Sequence, residues 1–234
     1  MPLSKIRTIA AEAAARLAPL AFLFWFYRYA LRTWFQQDDF AWLQLRGSLH
    51  SASDWVRGLL TPMAQGTIRP VSERLFFIWG SEYFFLNPSP MHWLVALTQS
   101  LNVLLLFGLV ARLTESRVAA MLASFAWLCS AGIATPMSWL STYNQILISF
   151  VFLAGLRSFI AAAETGRRRW MAACWALFLT GFGVLEINVV FPALLTGWAV
   201  LYRPAVWRKT LAMWLVSVLY ATVHVVWASK GAEG

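Results

Sequence analysis

The chain has 234 residues, 60% of them hydrophobic and only 12% charged, with a mean hydropathy of +0.62. Soluble domains carry roughly a quarter charged residues, so the composition excludes an ordinary soluble globule. It points to an all-α polytopic membrane protein in which about 20 apolar residues make one span. The net charge of +9 fits basic residues gathered on cytoplasmic loops and not a nucleic-acid surface. Cys129 and Cys174 both lie inside apolar runs and read as small buried residues, not as a disulfide framework or a metal site.

Residues 1–16 set Lys5, Arg7 and Arg16 around Ile6, Ile9 and several alanines, which predicts a short amphipathic helix on the membrane surface. The apolar segment Leu17 to Phe35 follows. It ends in Trp34-Phe35 and holds Arg28 and Arg32, without the small-residue site of a cleaved leader, so it reads as a retained first helix. Residues 36–89 are the least apolar part, with Asp38, Asp39, Asp54, Glu73 and Glu82 beside Arg46, Arg57, Arg69 and Arg74. They read as one long extracytoplasmic loop. Within it Ala41 to Leu49 predicts an interfacial helix, and Pro70 suits the first turn of another, Val71 to Phe85. The aromatics of that second helix place it at headgroup level.

Asn87-Pro88-Ser89-Pro90 reads as a turn with a helix start. The second span runs from about Met91 to Val110 and ends in a short basic loop. Val118 to Leu156 has no charge and is too long for one helix. It divides into two spans at a polar turn around Ser138, Tyr143, Asn144 and Gln145. Arg167-Arg168-Arg169 mark the next loop, Trp170 to Val184 and Val189 to Tyr202 make the fifth and sixth spans around Glu186, and Thr210 to Ala228 makes the seventh. The whole reads as one domain of about seven helices. With a cytoplasmic N-terminus, most basic loops share the cytoplasmic side. Loop 36–89, the turn at Tyr143 and the turn at Glu186 then share the opposite face. The arginines of loop 36–89 break the simple charge rule, and a lipid phosphate used on that face would give them a reason to be there.

Two adjacent carboxylates at the mouth of a membrane helix are costly and tend to be kept for work. The plain alternative is that Asp38-Asp39 only marks the water side of a helix end. Two adjacent acids are too few to argue a metal site, and a divalent ion stays open.

Several stretches together resemble the GT-C superfamily of membrane glycosyltransferases, in its protein O-mannosyltransferase and aminoarabinose-transferase branches. Asp38-Asp39-Phe40 looks like that family's first-loop acidic motif. Arg69-Pro70, then Leu86-Asn87-Pro88-Ser89-Pro90-Met91-His92, is similar to the run that opens its second helix. Trp139 to Gln145 occupies the place of its polar turn, and Glu186 with Phe191-Pro192-Ala193-Leu194-Leu195 looks like its later Glu motif. The resemblance covers about Asp38 to Tyr202 and implies an integral protein of a bacterial inner membrane, part of the cell-envelope machinery. Its donor would be a polyprenyl-phosphate-linked sugar, and its acceptor a glycan, lipid or protein hydroxyl. It implies Asp38 or Asp39 as catalytic base, Arg69 and Arg74 on the departing phosphate, His92 on the carrier phosphate, and Glu186 and Tyr143 toward the substrate. Family members are generally longer, and Leu185 stands where a basic residue usually precedes the Glu. A second expectation is therefore a non-catalytic membrane subunit that binds a lipid carrier or a larger partner membrane protein. A transporter is the weakest reading, since no internal repeat is present.

Overall fold

The computed structural model describes residues 3–62 and 66–231. It is 84% helical with no strands among those residues. In chain order the α-helices are α1 (Leu3–Phe26), α2 (Asp39–Leu45), α3 (Ala52–Leu60), α4 (Phe76–Phe84), α5 (Ser89–Thr114), α6 (Arg117–Leu128), α7 (Ala131–Ser138), α8 (Tyr143–Thr165), α9 (Arg168–Gly181), α10 (Phe191–Tyr202) and α11 (Leu211–Gly231). Short 3-10 turns precede α8, α10 and α11, and a π-helical stretch, Pro70–Leu75, leads into α4.

Among the described residues three segments are long and apolar enough to cross a membrane: Ser89–Thr114, Leu140–Thr165 and Pro204–Val226. Arg117–Leu128 and Ala131–Ser138 make a fourth if the pair, bent by 60°, counts as one span. The sequence predicts seven. The difference lies in continuity, because Glu186–Tyr202 is apolar but short and α9 has 14 residues, both below the roughly 20 that a straight span needs. The N-terminal expectation is also revised. A surface helix over 1–16 and a separate helix over 17–35 are replaced by one helix, Leu3–Phe26, that carries Pro19 inside it. The alanines at 10, 11, 13, 14 and 15 are the strongest helix formers and bridge the two segments. The side chains of Lys5, Ile6, Arg7 and Ile9, on which the amphipathic face rests, lie outside the described residues.

The chain forms two compact units, Met1–Gln37 with Leu86–Leu153, and Asp38–Phe85 with Ala154–Gly234. In the first, α1, α5 and α6 pack together around buried Leu23, Met91, Val95, Phe107 and Leu128. Polar side chains tie its helices where hydrocarbon offers no competing partner. The Tyr27 hydroxyl donates to the Leu128 carbonyl at 2.7 Å, and Asn102 Nδ2 donates to the Ile146 carbonyl at 2.9 Å.

In the second unit, Leu45, Leu49 and Ile78 form a small core that Trp55 and Leu59 cover. Helix α3 starts with a reciprocal capping box between Ser51 and Asp54, which satisfies two N–H groups the helix cannot pair itself. Phe178 stacks on Phe191 at 5.7 Å, and Gly155 leaves room for that ring, since a Cβ there would overlap it. Asn188 Nδ2 donates to the Phe178 carbonyl at 2.8 Å and closes the turn between α9 and α10. That turn lies at the helix ends opposite Arg167, Arg168, Arg169, Arg203, Arg208 and Lys209.

Candidate functional site

The π-helical stretch Pro70–Leu75 is where the second unit gathers its charge. Pro70 has no N–H to lose at a helix start, and Val71 N donates across to the Gly183 carbonyl at 2.9 Å. The Ser72 hydroxyl donates to the Val184 carbonyl at 2.7 Å. These two bonds fix the stretch against the turn that carries Glu186. Single π-turns are uncommon and recur at functional sites.

Arg69 is held there by two carboxylates. Its Nε donates to Glu186 Oε1 at 3.0 Å and Oε2 at 2.9 Å, its Nη2 lies 2.9 Å from Oε2, and its Nη1 donates to Glu73 Oε1 at 2.7 Å. The Glu73 side chain is 4% exposed, whereas Arg69 and Glu186 are 21% and 24% exposed. Burial works against the charge of Arg69, but the bonds to Glu186 and then Glu73 outweigh it and hold the guanidinium above its ordinary range. Glu73 also faces Arg74, so two guanidiniums balance the two carboxylates.

Next to this cluster is a cavity of ≈ 250 Å³. Ile68 and Pro70, the two neighbours of Arg69, form one side. Phe182 and Gly183 from the α9–α10 turn form another, and Tyr220, Val223 and His224 of α11 close it. Phe182 and Tyr220 have ring centroids 4.3 Å apart, and His224 stacks on Tyr220 at 5.6 Å. Tyr220 lies within electrostatic reach of both Glu186 and Arg69.

Of the residues singled out from the sequence, Arg69 and Glu186 meet directly. Arg74 is in the same stretch but fully buried. Its guanidinium donates to the carbonyls of Gly58 at 3.0 Å, Thr61 at 2.6 Å and Thr67 at 3.2 Å, and burial lowers its pKa, offset in part by Glu73. Asp38 and Asp39 open α2 and differ in surroundings: Asp38 is exposed and Asp39 is fully buried. Gln37, at φ 41°, turns the chain just before them, a left-handed conformation uncommon outside glycine. His92 and Tyr143 belong to the first unit. His92 is buried with Nε2 3.0 Å from the Thr33 carbonyl, and the Tyr143 hydroxyl lies 3.0 Å from Thr98 Oγ1. Among the described residues no group of three or more His, Cys, Asp or Glu is arranged to hold a metal ion.

Sequence reading missed Glu73, Tyr220 and His224. Glu73 stands four residues after Arg69, the spacing at which helical side chains meet. His224 is an ionisable residue inside an apolar segment, which is itself a functional signal.

Comparison with family models, curated proteins and solved structures finds no match. Among the described residues the fold is all-helical with three to four helices long and apolar enough to cross a membrane, which suggests a membrane protein, and it carries an Arg–Glu–Glu cluster beside an apolar cavity.

Proposed function

We propose that the protein is a GT-C-type glycosyltransferase that moves a sugar from a polyprenyl-phosphate carrier to an acceptor hydroxyl on the extracytoplasmic face of a bacterial inner membrane. In this reading the short helices α9 and α10 and the N-terminal helix complete a seven-helix arrangement with the N-terminus cytoplasmic. One observation carries it. Arg69 and Glu186 are 117 positions apart, yet they share one site at the end of their unit away from its basic helix ends. A charge-based topology brings together the same two stretches.

The acceptor oxygen attacks the anomeric carbon, and its proton passes to the carboxylate of Asp38, the exposed member of the acid pair. The bond from the anomeric carbon to phosphate oxygen breaks, and the phosphate leaves with that electron pair, inverting the centre. Buried Glu73 keeps hold of Arg69 while the more exposed Glu186 turns to sugar or acceptor hydroxyls, which frees the guanidinium for the departing phosphate. Contacts from Arg74, His92 or Tyr143 to the carrier would require each to leave the partner it now holds.

The test is transfer from polyprenyl-phosphate sugars in vesicles holding only this chain. Turnover by wild type that disappears in Asp38→Asn supports the reading, and a folded chain without turnover on any donor overturns it. The pairing of Arg69 with two carboxylates favours a second reading, a non-catalytic subunit that binds lipid or a larger membrane partner. Its signature is stoichiometric co-purification that is indifferent to Asp38→Asn.

A further inference from the structure

The cavity beside Arg69 is nearly all apolar, but its neighbouring cluster is charged. Its α11 wall belongs to the candidate span Pro204–Val226, only 17% of whose apolar window is buried. His224 lies about 20 Å along the helix from Leu211, two residues before the candidate span ends. Val223 is 50% exposed, so this wall is open to the protein's surroundings. Gly183 keeps the cavity's other wall thin, since a Cβ there would meet Val71 Cγ2 at 2.9 Å and Pro70 Cγ at 3.4 Å.

Charge narrows the occupant. Glu186 is the more exposed of the two acids, so it is the carboxylate that an ammonium can reach, while a purely anionic headgroup offers it nothing. Arg69 donates from Nε to Glu186 and from Nη1 to Glu73, and Nη2 lies 2.9 Å from Glu186 Oε2; the five N–H groups of a guanidinium leave others for an oxyanion. An ammonium and a phosphate on one headgroup match both members of the pair without disturbing the Arg69–Glu73 bond. The aromatic faces of Phe182 and Tyr220 suit both the methylenes beside such a headgroup and its cation.

We propose that this site holds a membrane aminophospholipid, with its ammonium on Glu186, its phosphate on the outer N–H groups of Arg69, and the start of one acyl chain in the cavity. The proposal goes beyond the transferase reading, in which lipid and donor occupy the same Arg69–Glu186 pair in turn, and it requires binding and no turnover. Absence of sugar transfer does not count against it, and loss of lipid retention does not count against transfer.

The experiment is native mass spectrometry of the full chain released from nanodiscs of phosphatidylcholine doped with equal phosphatidylethanolamine and phosphatidylglycerol. Retention of phosphatidylethanolamine over both others is expected, by about tenfold for a charge-assisted contact. Glu186→Gln should bring it down to the phosphatidylcholine level and leave phosphatidylglycerol no weaker. Val223→Trp, a substitution at an exposed position that fills the cavity, should reduce it without touching the ion pairs, and serves if Glu186→Gln fails to fold. Phosphatidylglycerol retained as well as phosphatidylethanolamine, or preference unchanged in the folded variants, overturns the proposal.

Discussion

Glu186 grips Arg69 through Nε and Nη2, and the contacts are 2.9–3.0 Å long, while Glu73 holds the same guanidinium from a position 4% exposed. The two acids are not equivalent. Removing Glu73 takes the compensating carboxylate from fully buried Arg74, at about 3–5 kcal/mol. Removing a part-exposed one is largely offset by solvent, at about 1 kcal/mol. Glu73→Gln should therefore destabilise the protein by clearly more than Glu186→Gln, as read from unfolding midpoints in one detergent. Equal losses would show that solvent reaches both acids alike.

Arg74 hydrogen-bonds backbone, and Glu73 offsets part of the cost of burying its charge. Its guanidinium is the common donor for the carbonyls of Gly58, Thr61 and Thr67, so it ties the end of α3 and the segment after it to the π-helical stretch. Arg74→Met leaves these acceptors without it and should cost about 3 kcal/mol. Arg74→Lys keeps the charge but loses the planar fork and should fall between. The variants should also show faster protease cleavage at the end of α3, between Gly58 and Thr61. A fully stable Arg74→Met that resists cleavage would show that the segment does not depend on this side chain.

Much of the helical content was legible because apolar runs bounded by Pro, Gly and basic clusters carry a strong signal. The span count was not, since it depends on where a helix bends. The 60° break between α6 and α7 falls at Cys129-Ser130, in a stretch that hydropathy reads as uniform. Helix α3 is not evident from the apolar pattern, because it is short and lies in a charged loop, although Ser51 and Asp54 stand at capping-box spacing. Arg69 and Glu186 were each singled out, but their pairing across 117 positions depends on tertiary packing of the π-stretch on the α9–α10 turn, which no local period encodes. The difference between Asp38 and Asp39 is a matter of helical phase. One residue shifts a side chain by about 100° around the axis, enough to move it from water to the interior.

Asp54 supplies a pH dependence with a definite sign. The Ser51 hydroxyl first, and then the Ser51 backbone N–H, hold its carboxyl below the ordinary value of 3.8. A group depressed in the folded state stabilises it fully above its unfolded pKa, and that contribution is lost as pH falls through the lowered folded value. Unfolding midpoints of wild type and Asp54→Asn should differ at neutral pH, and the gap should close as the pH drops below about 4. A gap that stays constant down to pH 2 would mean the carboxylate charge plays no part in the cap.

The acid pair allows structure and chemistry to be separated. Asp38 is exposed, and surface substitutions usually stay within about 0.5 kcal/mol, so Asp38→Asn should unfold at nearly the wild-type midpoint. Asp39 is wholly buried and engaged within the protein, so Asp39→Asn should cost about 1–3 kcal/mol through impaired hydrogen bonding. Lost transfer in Asp38→Asn at unchanged stability would then report on the proton acceptor, and lost transfer in Asp39→Asn alone would report on folding. The opposite pattern, a stable Asp39→Asn without activity beside an active Asp38→Asn, would move the base to Asp39 and require α2 to open toward the acceptor. Measuring the two midpoints before any transfer assay decides which of these results is interpretable.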